Sequence, residues 1–95
     1  MKYGYVRDSL NNFNNIEKQK SILEKYELDK IIVEKSNTHI FKRYHRMLRW
    51  LIRRLKKGDT VYVVSVDRLT RYEKEYDKII KKINKKEAGL VIDRW

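Results

Sequence analysis

The sequence predicts a three-layer α/β fold, in which a mostly parallel four-stranded sheet carries helices on both faces. Short β-branched runs alternate with longer amphipathic segments along the 95 residues, in the order β-α-β-α-β-α-β. One of the runs, residues 60–66, is almost continuously apolar, which is typical of a strand buried on both faces. Alternation of this kind needs crossover connections, and crossovers produce parallel strands.

The N-terminal half contains two predicted strands with one helix between them. Residues 2–8 are rich in Tyr and Val and form the first strand. A run of asparagines then makes a polar loop that leads into a helix over residues 16–27. Residues 30–34 form the second strand, and residues 35–41 form a loop. The helix residues expected to face inward are Ile16, Leu23 and Tyr26.

Residues 42–57 form a strongly amphipathic predicted helix, which Gly58 ends. Its predicted apolar face consists of Tyr44, Met47, Leu48, Leu51 and Leu55. Its opposite face consists of Lys42, Arg46, Arg49, Arg53 and Lys57, with Trp50 at the edge of this basic stripe. The stripe is either a solvated helix face or a contact surface. As a contact surface, it would bind the DNA backbone through Arg46, Arg49 and Arg53, or a second subunit with Trp50 as an exposed anchor.

The C-terminal part repeats the pattern once more. A helix is predicted over residues 73–87 and is ended by Gly89, and residues 90–92 form the last strand. The lysines at every third or fourth position of this helix indicate a solvated face. No proline, internal repeat or low-complexity linker marks a second domain, so residues 1–95 are interpreted as one domain.

Composition and charge indicate a nucleic-acid partner. The net charge is +11 and the sequence pI is about 9.9, which favours a polyanion such as double-stranded DNA, although a basic surface also serves solubility. A hydrophobic content of 41% excludes a mainly disordered chain. The chain lacks cysteine, a signal peptide and an apolar stretch long enough for a membrane span, so a cytoplasmic location with no membrane partner is expected.

Two short motifs carry the chemistry. Tyr5, Arg7 and Ser9 close the first strand, and Asp67, Arg68 and Arg71 follow the third. The carboxyl ends of parallel strands share one sheet edge, so three guanidinium groups are expected around one hydroxyl, with the second strand on the outer side of the first. Guanidinium groups match phosphate oxygens, which suggests a serine that attacks a phosphodiester. The alternative is a turn serine beside a solvated loop, in which Asp67 pairs with an arginine.

These motifs resemble the catalytic domain of the serine recombinases, the resolvase and invertase family. Its Tyr-x-Arg-x-Ser signature stands here at Tyr5, Arg7 and Ser9, and its Gly-Asp followed by Asp-Arg-Leu-x-Arg stands at Gly58, Asp59 and residues 67–71. Gln19 matches a glutamine of the first helix, and Arg43, counted from Glu34, is the best match for a further arginine. Two departures are Leu10 in place of threonine and the lack of a glycine after Glu34.

The resemblance implies a site-specific DNA recombinase that works without metal or cofactor. Ser9 would form a covalent 5′-phosphoserine with DNA, while Arg7, Arg43, Arg68, Arg71 and Gln19 would serve the site and Asp67 would orient an arginine. Family members continue into a long dimerising helix and a DNA-binding domain, and act as dimers or tetramers. Residues 1–95 lack both parts, so the chain is either a fragment or a short relative. The alternative function is a non-catalytic DNA- or partner-binding module on the same fold.

Overall fold

The computed structural model describes residues 1–7, 15–34, 46–70 and 72–94. The strands are β1 (Lys2–Arg7), β2 (Lys30–Glu34), β3 (Thr60–Ser65) and β4 (Gly89–Arg94). The helices are α1 (Asn15–Leu23), α2 (Arg46–Arg54), α3 (Val66–Leu69) and α4 (Glu73–Lys85), and a 3₁₀ turn, Glu24–Tyr26, follows α1. Among these described residues, no helix is long and apolar enough to cross a membrane.

The four strands form one parallel sheet in the order β2-β1-β3-β4. This confirms the predicted fold class and the position of β2 on the outer side of β1. The pairing of β1 with β2 continues to the end of both strands, where Arg7 lies opposite Glu34. The pairing of β1 with β3 runs only from Lys2 to Gly4. The carboxyl half of β1 is therefore paired on the β2 side alone, which matters for the site described below.

Two apolar clusters cover the two faces of the sheet, as alternation along each strand requires. The larger cluster joins α2 and α4 to one face, and its members include Tyr3, Tyr5, Leu48, Leu51, Val61, Val63, Ile79 and Ile83. The smaller cluster joins α1 to the other face through Val6, Leu23 and Val64, with Ile16 and Tyr26 partly buried against them. Helices thus lie on both faces, as predicted, and α1 covers its face with less apolar surface.

Three predicted helix ends are wrong. The helix expected over residues 16–27 ends at Leu23, and only the 3₁₀ turn Glu24–Tyr26 follows it. The helix expected to reach residue 57 ends at Arg54, and Gly58 lies farther on, in the turn before β3 with a φ of 90°. The last helix ends at Lys85, because Glu87 adopts a left-handed φ of 56° that breaks the helical path. Gly89 is consequently the first residue of β4 rather than a helix stop, and this strand runs to residue 94.

The apolar face of α2 differs from the prediction at one position. Leu48, Leu51 and Leu55 are buried as expected, but Met47 is 37% exposed and Ile52 is buried in its place. Each residue advances a helix by about 100°, so Met47 and Ile52 flank the Leu48–Leu51 stripe at equal angles, and periodicity alone does not decide which of them is buried. Predicted helical residues 42–45 and loop residues 35–41 lie outside the described part of the chain.

A short helix was missed. The segment after β3 forms the single helical turn α3, so Asp67, Arg68 and Leu69 lie on a helix rather than on a loop. Leu69 is completely buried in the larger cluster, which anchors this turn to the body of the domain. Four residues are too few to show the periodicity by which helices are recognised in sequence.

We expect the contribution of Asp93 to stability to disappear in acid. The Asp93 carboxylate accepts a hydrogen bond from the Tyr26 hydroxyl and pairs with Lys25 Nζ at 2.7 Å. Lys25 and then Tyr26 hold the pKa of Asp93 below its usual value. A lowered pKa in the folded state means that the stabilisation is complete above the unfolded pKa of about 4 and is lost as pH falls through the folded value. The difference in urea midpoint between the parent chain and Asp93→Asn should therefore shrink from pH 6 to pH 3, and a constant difference would contradict this account.

Candidate active site

The β1–β3 pairing stops before the carboxyl edge of the sheet, and we name the space between these two strand ends the crevice. The chain leaves β1 towards β2 on one side, and β3 lies on the other side, so the strand order reverses at this point. Open α/β sheets place their ligands at such a switch point, outside the carboxyl ends of the strands. The β1–β3 pairing stops at Gly4, and Arg7 lies three residues farther on, at the mouth of the crevice.

Gln19 of α1 holds the backbone of Arg7 at this mouth. Its amide is 1% exposed, and a buried amide needs hydrogen-bond partners because water cannot reach it. The Arg7 backbone N–H donates to Gln19 Oε1 at 3.1 Å, and Gln19 Nε2 donates to the Arg7 carbonyl oxygen at 2.6 Å. The end of β1 is thus fixed by α1 as well as by β2.

Arg68 reaches the same carbonyl from the opposite wall of the crevice. Its Nη1 lies 3.5 Å from the Arg7 carbonyl oxygen, at the outer limit of hydrogen-bond distance. Arg68 is held there by α3, whose neighbouring residue Leu69 is buried. Helices α1 and α3 therefore both contact the backbone of Arg7, the last residue of β1.

Tyr5 and Glu34 form a buried pair beside this point. The Tyr5 hydroxyl donates to Glu34 Oε1 at 3.0 Å, and Glu34 is 5% exposed. The Glu34 carboxylate also accepts the first backbone N–H groups of α2, from Met47 at 3.1 Å and Leu48 at 3.2 Å. An anionic acceptor at a helix N-terminus satisfies unpaired N–H groups and complements the helix dipole. Burial first, and the neighbouring carboxylate second, raise the pKa of Tyr5, so its hydroxyl stays a donor at any physiological pH.

Thr70 holds the segment between α3 and α4 in place through hydrogen bonds. It is 3% exposed, its hydroxyl donates to Glu75 Oε2 at 3.1 Å, and the backbone N–H of Tyr72 donates to Thr70 Oγ1 at 3.1 Å. These bonds anchor the residues on both sides of position 71. Sequence reasoning assigned no role to Thr70, because a lone threonine between two helices carries no distinctive pattern.

The predicted site residues fall into two groups. Arg7, Gln19 and Arg68 lie together at the crevice, in contact through the Arg7 backbone. Ser9, Arg43 and Arg71 lie outside the described residues. The expected distance from the Ser9 hydroxyl to the guanidinium groups falls outside them too and stays a prediction.

The expectation that Asp67 orients an arginine stays a prediction, because Arg43 and Arg71 lie outside the described residues. The Asp67 carboxylate accepts a hydrogen bond from Ser65 Oγ within the same turn. Across the described ranges, none of the ion pairs joins Asp67 to Arg68. The Asp67 side chain is therefore occupied locally, at the start of α3. Within the same ranges, no group of three His, Cys, Asp or Glu side chains is arranged to hold a metal ion.

The outer face of α2 is basic and exposed, as the sequence predicts. Arg46, Arg49 and Arg53 are all exposed, opposite the side that packs on the sheet. Trp50 is 39% exposed on the same helix, and the Arg54 guanidinium lies 4.4 Å from the centre of its ring. A guanidinium stacked on an indole is a cation–π contact, which restricts both side chains at the surface.

Comparisons with known proteins agree with this description. The sequence matches the family described as "Resolvase, N terminal domain" over residues 2–94. No curated protein sequence matches the chain.

Two solved structures have similar folds. The first open reading frame of transposon ISC1904 from Sulfolobus solfataricus P2 is 17% identical, with a TM-score of 0.74 over 96% of this chain and 65% of that one. The C-terminal catalytic domain of ISC1926 TnpA, described as an IS607-like serine recombinase, is 16% identical, with a TM-score of 0.74 over 97% of this chain and 66% of that one. The chain spans just under two thirds of the length of either structure, and at these identities the likeness is one of fold.

Proposed function

This chain belongs to the family of resolvase N-terminal domains, and from that premise we propose that it is the catalytic domain of a site-specific DNA recombinase. Its substrate would be double-stranded DNA, cut and rejoined through a covalent 5′-phosphoserine at Ser9. In a longer form it would act as a dimer or tetramer, because cutting both strands requires subunits held in register.

One observation carries the proposal most directly. Gln19 and Arg68 converge on the backbone of Arg7 at the switch point of the sheet. This contact brings together three of the residues that the family signature singles out, although they are far apart in sequence. A domain kept only as a basic surface would not need a buried amide to fix the residue two positions before the signature serine.

The proposed chemistry is a transesterification. Ser9 Oγ attacks the phosphorus, its proton leaves to an acceptor, and a new bond joins Oγ to the 5′ phosphate. The bond from phosphorus to the 3′ oxygen breaks, and that oxygen takes up a proton to become the 3′ hydroxyl. Arg7, Arg68 and Arg71 would offset the charge on the pentacoordinate phosphorus, as fixed donors do in other phosphoryl-transfer sites. Bond energy is kept in the phosphoserine, so rejoining needs no external energy source.

The direct test is capture of the covalent intermediate. The chain is fused to a dimerising helix and a DNA-binding domain, incubated with a labelled duplex that carries the paired target, and denatured before electrophoresis. We expect labelled protein in chelator as well as in magnesium, because guanidinium groups supply the positive charge. A fusion that binds its target but never acquires label would refute the catalytic proposal.

The exposed basic face of α2 favours a second candidate function, a DNA- or partner-binding module without catalysis. Arg46, Arg49 and Arg53 can contact phosphates whether or not Ser9 reacts. The two candidates make the same prediction for binding and opposite predictions for the covalent intermediate. The capture experiment therefore separates them.

Reversing the charge of α2 should weaken DNA binding more than reversing the charge of α4. We expect the triple variant R46E/R49E/R53E to bind duplex DNA at least about tenfold more weakly, and with a shallower dependence on salt, because phosphate contacts are lost. The matched control K74E/K78E/K81E changes the net charge equally on an exposed helix face. Fluorescence anisotropy with a labelled duplex measures both variants. Equal losses would identify the α2 stripe as an ordinary solvated face.

A further inference from the structure

A second concentration of positive charge lies at the amino edge of the sheet, away from the candidate active site. Helices α2 and α4 both run from the carboxyl edge towards this edge, and each ends in a turn that leads into a strand. Their last residues and these two turns carry a set of exposed cations, which we name the basic edge cluster: Arg54, Lys56, Lys57, Lys82, Lys85 and Lys86.

Backbone hydrogen bonds join the two turns into one surface. The Gly58 N–H donates to the Glu87 carbonyl at 3.0 Å, and the Gly89 N–H donates to the Asp59 carbonyl at 2.9 Å. The Lys86 ammonium also donates to the Arg53 carbonyl in the last turn of α2, at 3.2 Å. Cations that are about 30 residues apart in sequence are thereby held side by side.

Nearby acidic groups do little to neutralise this surface. Asp59 is 7% exposed, and its carboxylate is turned inward to the backbone N–H of Lys56 and the amino group of Met1. Glu87 is the exposed acid of the two turns. Cations near a helix C-terminus offset the helix dipole, but that effect is confined to the last turn and amounts to about half a charge per helix. Six cations exceed this requirement and leave a strongly positive surface.

The cluster and the candidate active site lie on opposite edges of a small body. Strand β3 has six residues, so the two edges are separated by roughly 17 Å, at about 3.3 Å per residue. Duplex DNA is stiff over about 150 base pairs, whereas the domain measures 35 × 29 × 23 Å. A duplex that crosses the carboxyl edge at right angles to the strands would have to bend sharply around this body to reach the opposite edge.

We propose that the basic edge cluster binds the phosphate backbone of a second duplex while the first lies at the carboxyl edge. The proposal rests on the proposed function, because it assumes that DNA occupies the candidate active site. It adds a second, sequence-independent DNA contact to each chain. Flexible, exposed lysines suit this task, since they act as point charges towards phosphates and read no sequence.

Bridging of two duplexes tests the proposal. One duplex carries biotin and the other a fluorophore, and the chain is mixed with both before capture on streptavidin. The parent chain should retain fluorescence on the beads, and raising the salt concentration should release it. The variant K82E/K85E, which leaves the α2 stripe untouched, should lose at least about tenfold of this bridging while still binding a single duplex, because each phosphate contact contributes about one unit of salt slope.

The control K74E/K78E carries the same change of charge on exposed positions nearer the carboxyl edge, and should keep bridging. Neutral K82Q/K85Q, with an intermediate loss expected, replaces K82E/K85E if circular dichroism shows that the reversal disturbs the fold. Unchanged bridging by K82E/K85E, or equal losses in both reversal variants, would overturn the proposal. Bridging by a dimer of the chain, without the basic edge cluster, would leave the reversal variant bridging as well as the parent.

The bridging experiment and the capture experiment can fail independently of each other. In the fusion, K82E/K85E should still form the covalent intermediate at the parent rate. Selective loss of bridging in a chain that never forms the intermediate would leave the edge contact standing and refute the recombinase chemistry alone.

Discussion

Replacing Ser9 with alanine in the fused chain will abolish the covalent protein–DNA intermediate. The proposed reaction has one nucleophile, and removing its oxygen leaves no atom to bond the phosphorus, so the expected loss is complete rather than partial. Binding of the duplex should be unchanged, because a serine hydroxyl contributes little to phosphate affinity beside several arginines. Electrophoresis of the denatured mixture measures the intermediate, and fluorescence anisotropy measures binding.

Ser65 provides a matched control for this experiment. It stands at the end of β3, on the same edge of the sheet, and its hydroxyl is engaged by Asp67. Ser65→Ala should retain the intermediate. The reverse result, label lost in Ser65→Ala and kept in Ser9→Ala, would move the nucleophile to the neighbouring strand and refute the assignment made from the family signature.

Replacing Glu34 with alanine will lower the free energy of unfolding by about 3 kcal/mol. The loss has two parts: the N-terminal cap of α2, worth about 1 kcal/mol, and the buried Tyr5 hydroxyl left without its acceptor, worth about 1–3 kcal/mol. In a domain of this size the melting temperature should fall by about 12–24 °C. Urea denaturation followed by circular dichroism gives the free energy directly.

Three further variants make the Glu34 result interpretable. Glu34→Gln keeps one acceptor oxygen and should cost about 1 kcal/mol, and Tyr5→Phe should cost about the same. The two losses should be less than additive when combined, because the residues share one hydrogen bond. Glu17→Ala, at a side chain that is 80% exposed, should change the free energy by less than about 0.5 kcal/mol. A loss for Glu34→Ala no larger than that of Glu17→Ala would disprove the capping role.

Much of the fold follows from local sequence patterns. The parallel sheet is recognisable because its strands are short apolar runs and the helices between them are longer amphipathic segments. Both signals are local. Helix ends are less well determined. Neither Gly58 nor Gly89 ends a helix here, and after α4 it is Glu87 that takes the left-handed conformation. An ordinary residue in that role gives no signal in the sequence.

The site is only partly predictable, for a different physical reason. Arg7 and Arg68 could be placed at one sheet edge because strand ends in a parallel sheet share that edge. The contact at the end of β1 could not be predicted, because Gln19 bonds to the backbone of Arg7. A backbone group has no residue-specific signature. The hydrogen bond from Ser65 to Asp67 could not be predicted either, because it forms within the short helical turn α3.

The two hydrogen bonds between Gln19 and Arg7 limit which residues can replace the glutamine at position 19. The Arg7 N–H needs an acceptor and the Arg7 carbonyl needs a donor, and one terminal amide presents both at the correct spacing. Glutamate would place a second oxygen next to the Arg7 carbonyl oxygen, and lysine would offer only donors. Methionine would leave the Arg7 N–H and carbonyl without hydrogen-bond partners. Asparagine has the right chemistry but is one methylene too short. The residue at this position can therefore be read from the sequence of any relative. A glutamine there indicates that the end of β1 is held as in this chain, and any other residue indicates that the crevice has a different structure.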